Sequence, residues 1–118
     1  MRILLPSIAA TALLMLAACN TPIDHAATKT VYINGNCNMC RKTIEKAGNR
    51  QGLAKVSWNK DTRMAVLEFD STKTTAEEIL RRIADAGYDN AAYQATDETY
   101  ETLHKCCKYD RTSKPSVD

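Results

Sequence analysis

The chain has 118 residues, 44% of them apolar and 25% charged, with a formal net charge of +2. That length holds one small core, which excludes a two-domain enzyme, and the composition excludes a disordered or wholly membrane-embedded chain. The near-balanced charge gives no reason to expect a nucleic acid partner. Five cysteines against one Phe and one Trp mark sulfur as the place to look for function.

Residues 1–18 read as a leader. Arg2 gives a positive start, and residues 3–18 are apolar apart from Pro6, Ser7 and Thr11. The stretch is short for a bilayer-spanning helix of ~20 residues. It ends Leu16-Ala17-Ala18-Cys19, small residues running into a cysteine. The segment resembles a bacterial lipoprotein signal peptide. That resemblance implies that Cys19 becomes the first mature residue, carries acyl chains and holds the domain on a membrane of the cell envelope. The plainer alternative is an ordinary secretory signal with Cys19 incidental. Removing residues 1–18 takes away a single charge, that of Arg2, and export puts the other four cysteines outside the reducing cytosol.

Residues 19–28, with Pro22, read as a tether. Lys29 to Asn34 alternates, with Val31 and Ile33 on one side, and predicts a strand. Asn34-Gly35-Asn36 breaks it. From Met39 to Ala47, Cys40, Ile44 and Ala47 fall on one face of a helix, and Gly48 and Gly52 bracket its end. Ala54, Val56 and Trp58 alternate with polar residues in a second strand. Asn59 to Thr62 is turn-like, and Ala65, Leu67 and Phe69 mark a third strand, so the two form an antiparallel hairpin. Thr74 with Glu77 matches a capping box. Ala76, Ile79, Leu80, Ile83 and Ala84 form the stripe of a second helix, which Gly87 ends. A weaker strand is expected over Ala91–Ala95. The order is βαββαβ, an α+β ferredoxin-like sandwich: a four-stranded antiparallel sheet with two helices on one face. Residues 96–118 form a short extension, in which Asp97 to Lys105 is expected to be helical, with Asp97 as N-cap and Tyr100 and Leu103 turned inward.

The chemistry concentrates at Cys37-Asn38-Met39-Cys40. Two cysteines at this spacing, in a loop running into a helix, aim both sulfurs at one point. The partial positive charge of the helix N-terminus favours thiolate over thiol. Thiolates are soft ligands, and two of them suit Cu(I) or Hg(II) better than a hard cation. Met39, between them, reads as a packing or exposed residue rather than a thioether ligand.

On the Cys37/Cys40 loop, the element order and Ala86-Gly87-Tyr88 after the second helix, residues 29–95 resemble the heavy-metal-associated domain family. Copper chaperones, the amino-terminal domains of copper ATPases and periplasmic mercury-binding proteins belong to that family. The resemblance implies that Cys37 and Cys40 bind a soft metal and pass it on by ligand exchange to a metal-transporting ATPase or efflux component. It also implies that Tyr88 lies near the metal and shields it. The usual loop reads Gly-Met-Thr-Cys; here Gly35 replaces the methionine that anchors the loop in the core.

A second constellation is His104-Lys105-Cys106-Cys107. If the extension folds back over the loop, Cys106 and Cys107 join Cys37 and Cys40 as ligands, or three of the four cysteines combine with His104 in a Cys₃His zinc site. The alternatives are a disulfide between tail and loop, or free thiols. His104 by itself reads as a surface residue, and His25 has no evident role. The expected function is a lipid-anchored envelope protein that binds Cu(I), with Hg(II) or Zn(II) as alternative metals. It is not expected to be an enzyme. A thiol–disulfide oxidoreductase is the rival, but no proline lies between Pro22 and Pro115 to face a disulfide in the thioredoxin manner. A disulfide-stapled adaptor is the third reading. Cys37 with His104 as a hydrolase lacks an orienting partner. Arg41, Lys42 and Lys46 read as a solvated helix face, with steering of an acidic docking partner, as in the chaperones resembled, as the alternative; Glu77–Arg81 and Glu78–Arg82 read as i,i+4 pairs, and Trp58 and Phe69 as core.

Overall fold

A computed structural model describes residues 21–112, so the expected leader, Cys19 and residues 113–118 lie outside the described residues. Strand β1 covers Ala26–Tyr32. It takes three residues from the expected tether, because Ala26, Ala27 and Thr28 find partners in Asp70, Phe69 and Glu68 of the central strand, here β3 (Met64–Asp70). Strand β2 (Ala54–Trp58) pairs with the other edge of β3, giving the antiparallel order β1-β3-β2. Opposite residues share a face, so Val31 with Ala65, Val56 with Leu67 and Trp58 with Ala65 make the apolar side. The other side carries Thr30, Ser57, Met64 and Val66, the last two exposed.

Two helices cover the apolar face. Helix α1 (Asn38–Gly48) buries Cys40, Ile44 and Gly48, and α2 (Ala76–Asp85) buries Ala76, Ile79, Leu80, Ile83 and Ala84. Burial of Ile79, Leu80 and Ile83 contributes about 1.5–3 kcal/mol each. Helix α2 is capped one residue later than the sequence pattern places it. Thr75 accepts from the Glu78 N–H at 3.2 Å, while Thr74 donates to the Glu78 carboxylate. Both Thr74–Glu77 and Thr75–Glu78 satisfy the capping spacing, and the chain uses the second. The expected i,i+4 pairs give way to other partners. Glu77 lies 3.9 Å from Lys29 of β1, and Arg82 donates to the Ala47 and Gly48 carbonyls, capping the C-terminus of α1. The helix ends as expected: the Gly87 and Tyr88 N–H groups return to the Ala84 and Ile83 carbonyls, with Gly87 at φ +109°.

The fourth strand does not form. Ile33 and Asn90 make a single bridge along the free edge of β1, with Asn34 N–H on the Asp89 carbonyl and Ala91 N–H on the Tyr32 carbonyl. The chain then turns away, because side chains take the amides that a ladder needs. Asn90 Oδ1 accepts from Ala92 and Tyr93, and Asp89 Oδ1 accepts from Ala95. The sheet therefore has three strands.

The extension folds back onto the domain. Helix α3 is short, Asp97–Glu101, with Thr96 rather than Asp97 as its cap, and a 3₁₀ turn follows at Lys105–Cys107. Tyr100 and Leu103 pack against the core as expected, Leu103 directly over Gly87. Among the described residues no helix is long and apolar enough to cross a membrane.

Candidate metal centre

The loop from Ile33 to Asn36 lies against the indole of Trp58. The indole N–H donates to the Ile33 carbonyl at 2.9 Å, and a Cβ on Gly35 would meet the ring at 2.9 Å. Trp58 thus fills the space beside the loop from β2, and Gly35 is what allows the close approach. Asn34, also buried, donates through Nδ2 to the Asp110 carbonyl of the extension, tying loop to tail.

Cys37 is the N-cap of α1, its sulfur accepting from the Cys40 N–H at 3.3 Å. One turn later Cys40 points inward and is fully buried, its thiol 3.2 Å from Asn36 Oδ1. The two sulfurs stand 3.0 Å apart. The tail adds a third: Cys107, also buried, has its sulfur 3.5 Å from that of Cys37. The sulfurs of Cys37, Cys40 and Cys107 all lie within 4.8 Å of one another. All four described cysteines are free thiols, with no tail-to-loop disulfide. Cys106 is exposed and stands at the rim, its sulfur 3.8 Å from that of Cys107 and 3.8 Å from Met39 Sδ. His104 is exposed and is not part of the sulfur cluster.

The three thiols differ in acidity. Burial opposes ionisation of Cys37, but hydrogen bonds from the Cys40 thiol and N–H, the Cys107 thiol and the Met39 N–H outweigh it and lower its pKa. Burial raises Cys40 and Cys107, Cys107 strongly. Cys37 is therefore the most readily ionised of the three, and the other two give up protons only to something that replaces them. Tyr88 lies fully buried beside them. Burial first, then the negative charge of a Cys40 thiolate and the interaction with the Cys40 and Cys107 thiols, hold its phenol neutral. Its O–H has no close hydrogen-bond partner and stands next to Cys40 and Cys107 as a donor for a thiolate.

Cys107 reaches this point because the residues around it are fixed. Tyr109 is buried, stacked on Tyr88 at 5.7 Å and edge-on to Tyr100 at 5.1 Å. Its hydroxyl donates to the Gly87 carbonyl at 2.7 Å and accepts from the Asp89 N–H at 2.8 Å. Arg111 grips both Asp89 oxygens at 2.8 and 2.9 Å and donates to the Ala95 carbonyl and to Asp97. Sequence reading missed Tyr109, Arg111 and Asp89. The available signal was two tyrosines, Tyr100 and Tyr109, bracketing the Cys-Cys pair in a chain with few aromatic residues.

Over 85 residues the chain is 38% identical to the mercuric transport protein periplasmic component of Pseudomonas aeruginosa, covering 69% of this chain and 92% of that protein. The chain belongs to the family of mercuric transport periplasmic components. The corresponding protein of an Alcaligenes species is 36% identical over 87 residues, 70% of this chain and 94% of its own length. Among solved structures, the CopZ metallochaperone matches with a TM-score of 0.52 over 55% of this chain and all of that one. At 21% identity that likeness is one of fold, a small ferredoxin-like α+β domain. No protein-family model matches the chain.

Proposed function

We propose that this protein is an envelope carrier of Hg(II), not an enzyme, holding the ion through the thiolates of Cys37, Cys40 and Cys107 and passing it by ligand exchange to a membrane transport component. One observation carries the reading: three sulfurs from two segments far apart in sequence converge within 4.8 Å. With a metal–thiolate bond of about 2.3 Å, trigonal sulfurs stand about 4 Å apart, so small shifts convert the thiol cluster into a three-coordinate site. Soft thiolates select soft ions. Sequence alone put Cu(I) first, and the family relatives, named for mercuric transport, move the preference to Hg(II). Zn(II) suits the site less well, because it favours four ligands and the fourth sulfur, Cys106, stands at the rim. Tyr88 donates its unused O–H to a bound thiolate and keeps water from the ion. The same relatives, periplasmic by name, support a periplasmic location, and acylation at Cys19 would tether the domain there.

The test is titration of the reduced full-length protein, without oxygen, with Hg(II) and Cu(I) against a competing small thiol. Native mass spectrometry counts ions per chain. One Hg(II) per chain is expected, retained in preference to Cu(I), with Cys107→Ser lowering retention about tenfold. No bound ion, a preference for Cu(I), or a Cys107→Ser variant equal to the parent would each refute a stated part of the proposal. Detergent-phase partitioning that is lost in Cys19→Ser tests the tether.

A further inference from the structure

The cluster has an outer pair of sulfurs that the three-thiolate site does not use. Cys106 is exposed beside buried Cys107, and Met39 is 44% exposed on the first turn of α1. Cys106 Sγ stands 3.8 Å from both Cys107 Sγ and Met39 Sδ. From outside inward the spacings are 3.8 Å from Cys106 to Cys107, 3.5 Å from Cys107 to Cys37 and 3.0 Å from Cys37 to Cys40. Cys107, at 2% exposure, thus lies between two sulfurs that solvent reaches, Cys106 and half-buried Cys37.

That arrangement matters because a soft divalent ion in a thiol-containing solution arrives with two small thiolates already bound. Neither Cys40 nor Cys107 is open to an ion still carrying them, since both are buried. The ion moves inside only after both carriers have left, and that takes two accessible protein sulfurs.

We propose that Cys106, assisted by Met39, is an exchange port for the metal, a transient ligand that strips the carrier before the ion enters the site. The proposal rests on the Hg(II)-carrier reading above. In the first step the Cys106 sulfur bonds to the ion, one carrier thiolate–metal bond breaks, and the departing thiolate leaves as thiol with the Cys106 proton. In the second, the Cys37 thiolate displaces the remaining carrier, which takes a proton from solvent. The ion now bridges Cys106 and Cys37, across Cys107. In the third, Cys107 bonds to the ion, the Cys106–metal bond breaks, and the Cys107 proton passes to Cys106; Cys40 then bonds to the ion and gives its proton to solvent, which completes the three-thiolate site. No electrons are transferred. The Met39 thioether, a weak soft donor, holds the ion loosely at the rim while carriers exchange. Release to an acceptor thiol runs the same steps backward.

The test is stopped-flow loading of the reduced full-length protein with the mercuric bis-complex of a small monothiol, followed by removal with a dithiol chelator. Bound metal per chain is measured on the same samples. In Cys106→Ser, an exposed and isosteric change, loading and removal are both expected to slow, on the order of tenfold, because a port speeds both directions. Met39→Leu is expected to slow both by a smaller factor. Rates equal to the parent in Cys106→Ser make Cys106 a bystander and overturn the proposal. Faster removal with unchanged loading makes it a resident ligand and overturns it equally. A parent chain that takes up no Hg(II) overturns the carrier reading itself, an outcome visible in the metal count before any rate is compared.

Discussion

Cys37 and Cys40 are held together by the first turn of one helix, whereas Cys107 arrives from 70 residues away in the chain. The first pair needs only Gly35 against Trp58 and the capping geometry of α1. The third sulfur needs the whole tail: Tyr109 wedged between Tyr88 and Tyr100, Arg111 on Asp89, and Leu103 over Gly87. The loop half of the site is thus local and robust. The tail half is a product of tertiary packing, and it in turn braces the loop through Asn34 Nδ2 on the Asp110 carbonyl.

The sharpest way to break the loop half is Cys37→Ser with Cys40→Ser. It is expected to lower Hg(II) retention against a competing dithiol more than ~100-fold, since even residues that only support metal ligands cost ~10–100-fold. Next comes Tyr109→Ala, which deletes a buried ring together with both hydrogen bonds of its hydroxyl. Urea unfolding of the metal-free protein should show a loss of about 3–5 kcal/mol. Retention in folded Tyr109→Ala should fall to that of Cys107→Ser. Retention equal to the parent would mean that the tail does not deliver its cysteine.

The smallest effect is on pH dependence. Burial raises the pKa of Cys40, Cys107 and Tyr109 in the folded state. Their contribution is present below the pKa of the unfolded groups, about 8.5 for Cys and about 10 for Tyr, and is lost as pH rises beyond it. Cys37, lowered, works in the opposite direction, but alone. The Tm of the reduced metal-free protein should therefore fall from about pH 9 to about pH 11, and Tyr109→Phe should flatten the upper part of that fall. A flat profile across that range would contradict the burial of these groups.

The same contrast explains what the sequence made legible. Strands β1 to β3 and both long helices follow from alternation and a helical stripe, because each buries one face against the next. The cysteine loop was readable for the same local reason. The fourth strand was not, because Asp89 and Asn90 spend their side chains on amides of residues 92, 93 and 95, although Asp and Asn are the residues most prone to do so. Which of two adjacent cysteines faces inward has no periodic signature in a 3₁₀ turn, so Cys106 and Cys107 read alike. Thiol spacing also does not distinguish Hg(II) from Cu(I), because both are soft ions that thiolates select.

The meeting of Cys37 and Cys107 has one more consequence. An ion held by both would close a ring of about 70 residues, and by analogy with a disulfide of that span such a cross-link disfavours the unfolded chain by about 4 kcal/mol. A bound ion would then act as a staple, and full copies of the proposed carrier would outlive empty ones wherever proteases sample opened chains.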